Sequence, residues 1–195
     1  SNRRGVARQQ GKPIFSMLTS FHRDEPGLAH ALPMPDVPPP DALLSLGDLM
    51  RVHPFPAGPV LRRMATSPSP LEFRPIGSIQ QGDPSDLAEP MTRCWVRVGE
   101  GALGVRQMVQ RAVLAYASDL FLLGTAYRPH GLQIAGPGVI SASIDHSLWL
   151  HNDVECGDWL LYTTDSPFAG DGRGFARGHF FARDGRLLAS VAQEG

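Results

Sequence analysis

The hydrophobic and polar positions divide the chain into a short strand-like start, a proline-rich middle and a regular C-terminal part. Residues 5–21 have the apolar pattern of two strands around a turn at Gln10-Gly11, which predicts a β-hairpin. Residues 22–70 hold most of the 18 prolines, a composition that is typical of a linker. Inside this linker, the segment from Asp41 to Met50 predicts one short helix with Asp41 as its N-cap.

From Leu71 onward the pattern is regular and predicts one long helix among several strands. Helical periodicity covers residues 104–123. Strand patterns cover residues 71–80, 93–98, 139–150, 158–164, 173–183 and 186–193. The Asp184-Gly185 pair predicts a hairpin turn between the last two strands. One long helix followed by a run of antiparallel strands indicates an α+β fold, because a parallel sheet would need alternating βαβ units.

A faint internal repeat links the two ends of the chain. The segments around Gln10-Gly11 and Asp184-Gly185 share a strand, a glycine turn, a basic residue and a second, apolar strand. This similarity predicts that residues 1–21 are the closing hairpin of a first copy of the domain. Residues 22–70 are then the linker, and residues 71–195 form the C-terminal domain.

Composition narrows the classes of function. The net charge is −1 with no run of Lys or Arg, so the positive surface of a nucleic-acid-binding protein is missing. No apolar stretch reaches 18 residues, which argues against stable insertion into a membrane. Cys94 and Cys156 stand far apart, which is typical of two reduced cysteines in a cytoplasmic protein. A disulfide and a catalytic thiol remain the alternatives.

The predicted long helix contains an acid in an unusual position. Its apolar residues define a stripe, and helical phasing at about 100° per residue places Asp119 near the middle of that stripe. The stripe comprises Val105, Met108, Val109, Ala112, Tyr116, Leu120 and Leu123. A carboxylate on a core face is costly unless it is hydrogen-bonded or functional. A helix that ends before Asp119, or a purely structural carboxylate, is the alternative.

Two further polar residues deserve consideration as site residues. In the predicted strand 139–150, Ser143 lies on the polar face, which is the solvated side of a sheet unless its hydroxyl reaches the helix acid. Gln193 shares a face of the last strand with Ala189 and Val191, where an apolar residue is expected. A buried glutamine must find partners for both its carbonyl and its amide. A frayed strand end with Gln193 in solvent is the alternative.

Other candidate motifs are weaker. His146 and His151 are five residues apart on a predicted strand, so they point to opposite faces and do not suggest a metal pair. The glycine-rich residues 170–174 lie between strands and indicate a turn, not a phosphate-binding loop. No GxSxG motif is present, which argues against an α/β-hydrolase.

Five segments, in this order and spacing, resemble the acyl-CoA thioesterase II family. They are Tyr116–Leu120 (YASDL), Ser143–His151 (SIDHSLWLH), Trp159–Tyr162 (WLLY), Arg173–Gly178 (RGFARG) and Ala189–Gly195 (ASVAQEG). The resemblance is strong over residues 71–195 and includes residues 3–21, which look like the closing hairpin of the family's first repeat. It implies a double hot-dog fold, in which two copies of a long helix are each wrapped by an antiparallel sheet. The resemblance also implies that the first copy is truncated in this sequence, since its helix and early strands are expected before residue 1.

The resemblance also implies an activity and a site. The family hydrolyses fatty acyl-CoA to free fatty acid and CoA with an aspartate, a Thr or Ser, and a glutamine, which correspond here to Asp119, Ser143 and Gln193. Asp119 is expected to activate a water that Ser143 and Gln193 position, and the Gln193 amide to stabilise the oxyanion. Direct attack by the carboxylate, giving an anhydride, remains open. The acyl chain is expected to contact Tyr116, Leu120 and Leu123.

The expected partners follow from the same resemblance. They are the acyl-CoA substrate and either a second copy or a partner hot-dog segment, with no cofactor, metal or nucleic acid. The alternative functions are a non-catalytic acyl-CoA-binding or lipid-binding module and an assembly partner for another hot-dog chain.

Overall fold

The N-terminal residues form a two-stranded hairpin. The computed structural model describes residues 1–52, 59–66, 69–77, 89–132 and 138–195, and its chain divides into two compact units, Ser1–His30 and Ala31–Gly195. In the first unit, β1 (Asn2–Gln9) pairs antiparallel with β2 (Lys12–Ser20). Gln10 and Gly11 join them with positive φ angles of 51° and 78°, the backbone geometry of a tight hairpin turn. The predicted hairpin is confirmed, whereas its assignment to a first repeat stays a prediction.

The second unit is one antiparallel sheet with helices. Its helices are α1 (Leu46–Val52), α2 (Pro59–Thr66), α3 (Gln107–Asp119) and α4 (Gly124–Tyr127). Its strands are β3 (Glu72–Ile76), β4 (Met91–Arg97), β5 (Ser147–Leu150), β6 (Leu160–Gly170), β7 (Arg173–Ala182) and β8 (Leu187–Glu194). The six strands lie in the order β3-β4-β6-β7-β8-β5, and every pair is antiparallel. This arrangement confirms the predicted α+β class.

Both faces of this sheet are covered. Along β6, Leu160 and Tyr162 enter the core on the side of α3, while Leu161 enters a second core on the opposite side. Helix α3 contributes Leu114 and Ala117 to the first core. The second core consists of Trp95, Trp159, Leu161 and Phe181, packed against Met34, Val37 and Leu43. Coverage on both faces explains why consecutive residues at the start of β6, Leu160 to Tyr162, are all apolar and buried.

The proline-rich segment packs on the sheet as part of the second unit. The Trp95 indole N–H donates to the Pro38 carbonyl over 2.9 Å, and Arg74 donates to the Pro40 carbonyl over 2.7 Å. Proline lacks an N–H but keeps its carbonyl as an acceptor, so such a segment can still be anchored by side-chain donors. The predicted linker, residues 22–70, therefore joins the sheet unit from Ala31 onward, and the boundary expected at residue 70 lies inside that unit.

The helix predicted from Asp41 to Met50 is shifted along the chain. A single 3-10 turn occupies Pro40–Ala42, and α1 begins only at Leu46. Its cap is Ser45, whose hydroxyl accepts a hydrogen bond from the Asp48 backbone N–H and donates to the Asp48 carboxylate. Ser45, not Asp41, is thus the N-cap. Helix α2 was not predicted from the sequence, where prolines dominate the pattern.

Helix α3 buries a different face from the one that its apolar residues predicted. Met108 is 66% exposed and Tyr116 is 65% exposed, whereas Gln110 is fully buried. The Gln110 amide donates to the Ala102 carbonyl over 2.7 Å, and its carbonyl accepts the Cys156 backbone N–H over 2.8 Å. Because neighbouring backbone groups satisfy the hydrogen bonds of this glutamine, a polar residue occupies the core face, and the predicted apolar stripe was wrong.

No helix in the described ranges is long and apolar enough to cross a membrane.

Only the end of the strand predicted for residues 139–150 forms. Strand β5 covers Ser147–Leu150 and pairs with β8, while residues 139–146 have no regular secondary structure. The predicted strand 71–80 is β3, whose expected end at residues 78–80 lies outside the described residues. The hairpin turn at Asp184-Gly185 is confirmed, since Gly185 adopts a φ of 90° between β7 and β8.

The buried face of α3 can be tested by comparing two truncations on this helix. Leu114→Ala removes a fully buried side chain and should lower the free energy of unfolding by about 2–5 kcal/mol, because it leaves a cavity in the core. Met108→Ala changes a mostly exposed position and should alter it by no more than about 0.5 kcal/mol. Urea denaturation followed by circular dichroism measures both. A larger loss for Met108→Ala would place the core on the other face of the helix.

Candidate active site

Helix α3 ends at Asp119, and the packing around its last turn fixes where it ends. Leu120 is extended and Phe121 has a positive φ of 66°, so the chain leaves the helix abruptly. The Phe121 ring packs edge-to-face on Phe73, with 5.2 Å between ring centroids. A backbone in the left-handed region costs energy for a bulky residue, so this packing holds the turn in place.

A buried tyrosine satisfies the end of the same helix. The Tyr162 hydroxyl donates to the Ser118 carbonyl over 2.6 Å, one of the terminal carbonyls that a helix leaves without an internal partner. The Tyr162 ring stacks on Phe180 at 4.0 Å. Burial, and secondarily the negative charge of Asp119, hold the pKa of Tyr162 well above its usual value. The phenol therefore stays protonated and keeps its role as a donor.

Gln193 lies at the centre of the candidate site. Its side chain is 1% exposed on β8 and faces the same way as Ala189 and Val191, so the solvent-exposed alternative is excluded. Its amide nitrogen donates to Asp119 Oδ1 over 3.0 Å and also to the Ser143 hydroxyl oxygen. Its carbonyl oxygen lies 3.1 Å from His146 Nδ1. The carboxamide thus has partners at both ends, as a buried amide requires.

Backbone contacts to the end of β8 bring Ser143 to Gln193. The Ile144 N–H donates to the Glu194 carbonyl over 2.8 Å, and the Glu194 N–H donates to the Asp145 carboxylate over 3.0 Å. These bonds hold the irregular segment that precedes β5 alongside the last residues of β8. The structure therefore brings together all three residues that the sequence predicted for the site, Asp119, Ser143 and Gln193.

The environment of Asp119 differs from the sequence-based expectation. The side chain is 59% exposed, because it stands at the last position of α3 rather than in the middle of a buried stripe. Its Oδ1 atom accepts a hydrogen bond from Gln193 and lies 3.9 Å from His146 Nδ1. A carboxylate placed in this way keeps its hydration and is within reach of a water molecule. The expectation of a desolvated core carboxylate was wrong.

The hydrogen bonds of Gln193 also bear on its expected role at the oxyanion. A carboxamide nitrogen carries two hydrogens. Here one is directed to Asp119 and the other to Ser143. Gln193 would have to give up one of these bonds in order to stabilise an oxyanion, so the arrangement suits a residue that holds the other two in place.

Two residues of the site were not identified from the sequence. His146 Nε2 lies 2.9 Å from the hydroxyl of Ser118, which is fully buried on the last turn of α3. The expected strand had placed His146 on its apolar face, alternating with Ser143 and Asp145 on the polar one. A histidine among apolar positions was the same kind of irregularity as Gln193, but it was considered only as a metal ligand.

The three residues expected to contact the acyl chain lie in different environments. Tyr116 is exposed one turn before Asp119, Leu120 is partly buried against the core, and Leu123 is buried. Their roles toward a substrate stay predictions.

Within the described ranges, no three His, Cys, Asp or Glu side chains are grouped in a way that would hold a metal ion.

Both cysteines are free and buried. Burial raises the pKa of Cys94 to about 12 and, together with the nearby Glu155 charge, raises that of Cys156 to about 12. Because only the thiolate is a good nucleophile, a catalytic thiol is disfavoured, and no disulfide joins the pair.

We expect neither thiol of the folded protein to react with a disulfide reagent such as DTNB at pH 8, and both to react in guanidinium chloride. Unfolded cysteines ionise near pH 8.5, well below the value of about 12 in the fold. The contribution of the two buried, protonated thiols to the free energy of unfolding is therefore complete below pH ~8.5 and falls as the pH rises toward 12. Absorbance of released thionitrobenzoate measures the reaction. Rapid modification of the folded protein would contradict the burial of these thiols.

Comparison with known proteins shows what the chain as a whole is similar to. A family model described as acyl-CoA thioesterase matches residues 80–195. Human acyl-coenzyme A thioesterase 8 is 36% identical over 204 residues, an alignment that covers 96% of this chain and 60% of the human protein. The chain thus spans about 60% of the length of that curated relative.

Solved structures agree with the fold. An acyl-CoA thioesterase II from Mycobacterium marinum matches with a TM-score of 0.75 and 31% identity, covering 99% of this chain and 66% of that one. A protein from Alicyclobacillus acidocaldarius that is described as having a hot-dog fold matches with a TM-score of 0.68 and 19% identity, covering 99% and 65%. The latter likeness concerns the fold alone, and the predicted hot-dog fold is confirmed.

Proposed function

The chain belongs to the acyl-CoA thioesterase family, and from this premise we propose that it hydrolyses fatty acyl-CoA thioesters to free fatty acid and CoA. The observation that carries the proposal is that Asp119 and Ser143, which are far from Gln193 in sequence, both accept hydrogen bonds from its carboxamide. This constellation offers a base, a hydroxyl and a positioning amide in one place.

Asp119 is the proposed general base. Its carboxylate takes a proton from a water molecule, whose oxygen forms a bond to the thioester carbonyl carbon. The carbon–sulfur bond then breaks, and the proton passes from Asp119 to the departing CoA sulfur. The 59% exposure of the Asp119 side chain supports this role, since water can reach the carboxylate without any opening of the fold.

Ser143 is the proposed donor beside that base. Its oxygen accepts a hydrogen bond from Gln193, so its own hydrogen remains available for the attacking water or for the thioester oxygen. Gln193 keeps Ser143 and Asp119 at a fixed separation, which is the condition for a water to contact both at once. The acyl chain is proposed to extend past Tyr116 and Leu120 toward Leu123 along the end of α3 and the residues after it.

Replacing the base should abolish most of the activity without unfolding the protein. Asp119→Asn keeps the shape of the side chain but cannot accept a proton from water, so thiol release from palmitoyl-CoA should fall by about 10²–10⁴-fold. Asp153→Asn is the matched control, because Asp153 is an exposed acid that pairs with Arg111 away from the site. The assay is run on the intact protein with acyl-CoAs of several chain lengths.

The outcomes separate the functions. Activity of Asp119→Asn near that of the wild type would contradict the assignment of the base. Saturable binding of acyl-CoA with no thiol release by the wild-type protein would favour a binding module instead.

The hydroxyl at position 143 can be tested by a pair of substitutions. Ser143→Thr retains the hydroxyl and should keep kcat within a few-fold of the wild type. Ser143→Ala removes it and should lower kcat by about tenfold or more, which corresponds to the loss of one hydrogen bond in the transition state. Equal activity of the threonine and alanine variants would show that the hydroxyl has no part in the reaction.

A further inference from the structure

We propose that His146 is a positioning residue that fixes the orientation of the Gln193 carboxamide and, through it, the geometry of Asp119 and Ser143. The inference rests on the proposed function and adds to it a residue outside the three expected ones. It is carried by a continuous set of hydrogen bonds around His146, which joins Ser118 to Gln193.

The carboxamide of Gln193 has two orientations of nearly equal shape, which differ by exchange of oxygen and nitrogen. In the observed one, the NH₂ group meets two acceptors, Asp119 Oδ1 and the Ser143 oxygen. In the other, the amide oxygen would face the carboxylate and repel it. The two orientations also differ in the atom that faces His146. It is the amide oxygen in the observed orientation and the NH₂ group in the other.

His146 Nδ1 must be the donor in this contact. The Gln193 amide oxygen can only accept, and it lies 3.1 Å from Nδ1. A buried carbonyl that loses its donor bears the full cost of desolvation, so the histidine N–H favours the productive orientation of the amide. In the flipped orientation, an N–H of the amide would point at the N–H of His146.

The other ring nitrogen has its own partner. With Nδ1 protonated, the neutral imidazole presents a bare Nε2, which accepts from the Ser118 hydroxyl over 2.9 Å. The same hydroxyl lies 2.8 Å from the Ala115 carbonyl, and its single hydrogen serves one of the two acceptors at a time. When His146 is doubly protonated, the hydroxyl donates to Ala115 and accepts from Nε2. Nδ1 donates to Gln193 in either state.

These bonds form a closed ring. It runs from Ser118 through His146 and Gln193 to Asp119, and the first and last of these are consecutive residues at the end of α3. Both ring nitrogens of His146 are occupied by protein atoms, and its side chain is only 27% exposed. His146 Nδ1 also lies 3.9 Å from Asp119 Oδ1, which is beyond hydrogen-bond distance, so the hydrogen-bonded link from His146 to the carboxylate runs through Gln193.

The kinetic test uses two amides of different reach. Asparagine puts its amide nitrogen close to the position of histidine Nδ1, whereas glutamine reaches toward Nε2. His146→Ala should lower kcat for acyl-CoA hydrolysis by about tenfold or more with little change in KM. His146→Asn should recover most of this loss, and His146→Gln should not. His151→Ala, whose imidazole contacts Ser190 instead, is the control and should keep the wild-type kcat.

A double-mutant cycle tests whether His146 acts through Gln193. In a Gln193→Ala background the group that His146 orients is gone, so His146→Ala should cause no further loss of kcat. Losses that multiply in the double variant would overturn the inference, as would a His146→Asn variant no better than His146→Gln. If the single His146→Ala variant unfolds, the comparison of asparagine with glutamine still decides.

A spectroscopic readout makes the inference independent of the activity. Two-bond ¹H–¹⁵N correlation spectra of the intact wild-type protein should show neutral His146 as the Nδ1–H tautomer, the less common form of a free imidazole. An Nε2–H tautomer would overturn the inference even in an active enzyme. Absence of thiol release together with an Nδ1–H tautomer would instead reject the proposed hydrolysis and leave the hydrogen-bonded orientation of Gln193 in place.

Discussion

A primary carboxamide buried on the core face of a strand is the constraint on which the site depends. The Gln193 side chain needs acceptors for two hydrogens and a donor for its oxygen, and water does not reach it. Two segments supply these partners: the end of α3 with Asp119, and the irregular segment before β5 with Ser143 and His146. Burial of Gln193 with all its hydrogen bonds satisfied requires both segments to converge on it, so packing of the core and assembly of the site are linked.

The aromatic core extends this constraint to the rest of the sheet. Phe180 on β7 stacks on Tyr162 of β6, and the Tyr162 hydroxyl holds the Ser118 carbonyl. The position of Asp119 is therefore fixed by contacts with the middle of the sheet and not by a surface loop, although its carboxylate is exposed to solvent. A carboxylate that is exposed but anchored in this way combines access for water with a defined position, whereas a loop-borne carboxylate would lose entropy each time it was aligned.

The sequence predicted most strands where local rules apply, and the three residues that it proposed for the site lie in contact. Gln193 was identifiable because it interrupts an apolar face, and the Asp184-Gly185 turn because glycine is required at a positive φ. Two of the failures share one cause, the satisfaction of polar groups by distant segments. Gln110 enters the core because residues near Cys156 bond its amide, and the proline-rich segment joins the sheet through donors on Trp95 and Arg74. Neither partner can be read from the pattern of the segment itself.

The surroundings of Asp119 differ from those that the helix pattern predicted, although the resemblance and the pattern both selected this residue for the site. The helical phasing predicted a buried Asp119, and the energetic cost of burying its charge was the reason to suspect a function. The acid instead lies at a helix end, and the buried polar groups are its neighbours, Ser118 on the same turn and Gln193 across the core. Burial of Ser118 and Gln193 makes their hydrogen bonds strong and directional, while exposure leaves the Asp119 carboxylate its hydration. This division allows one carboxylate to be held rigidly without the energetic cost of burying its charge.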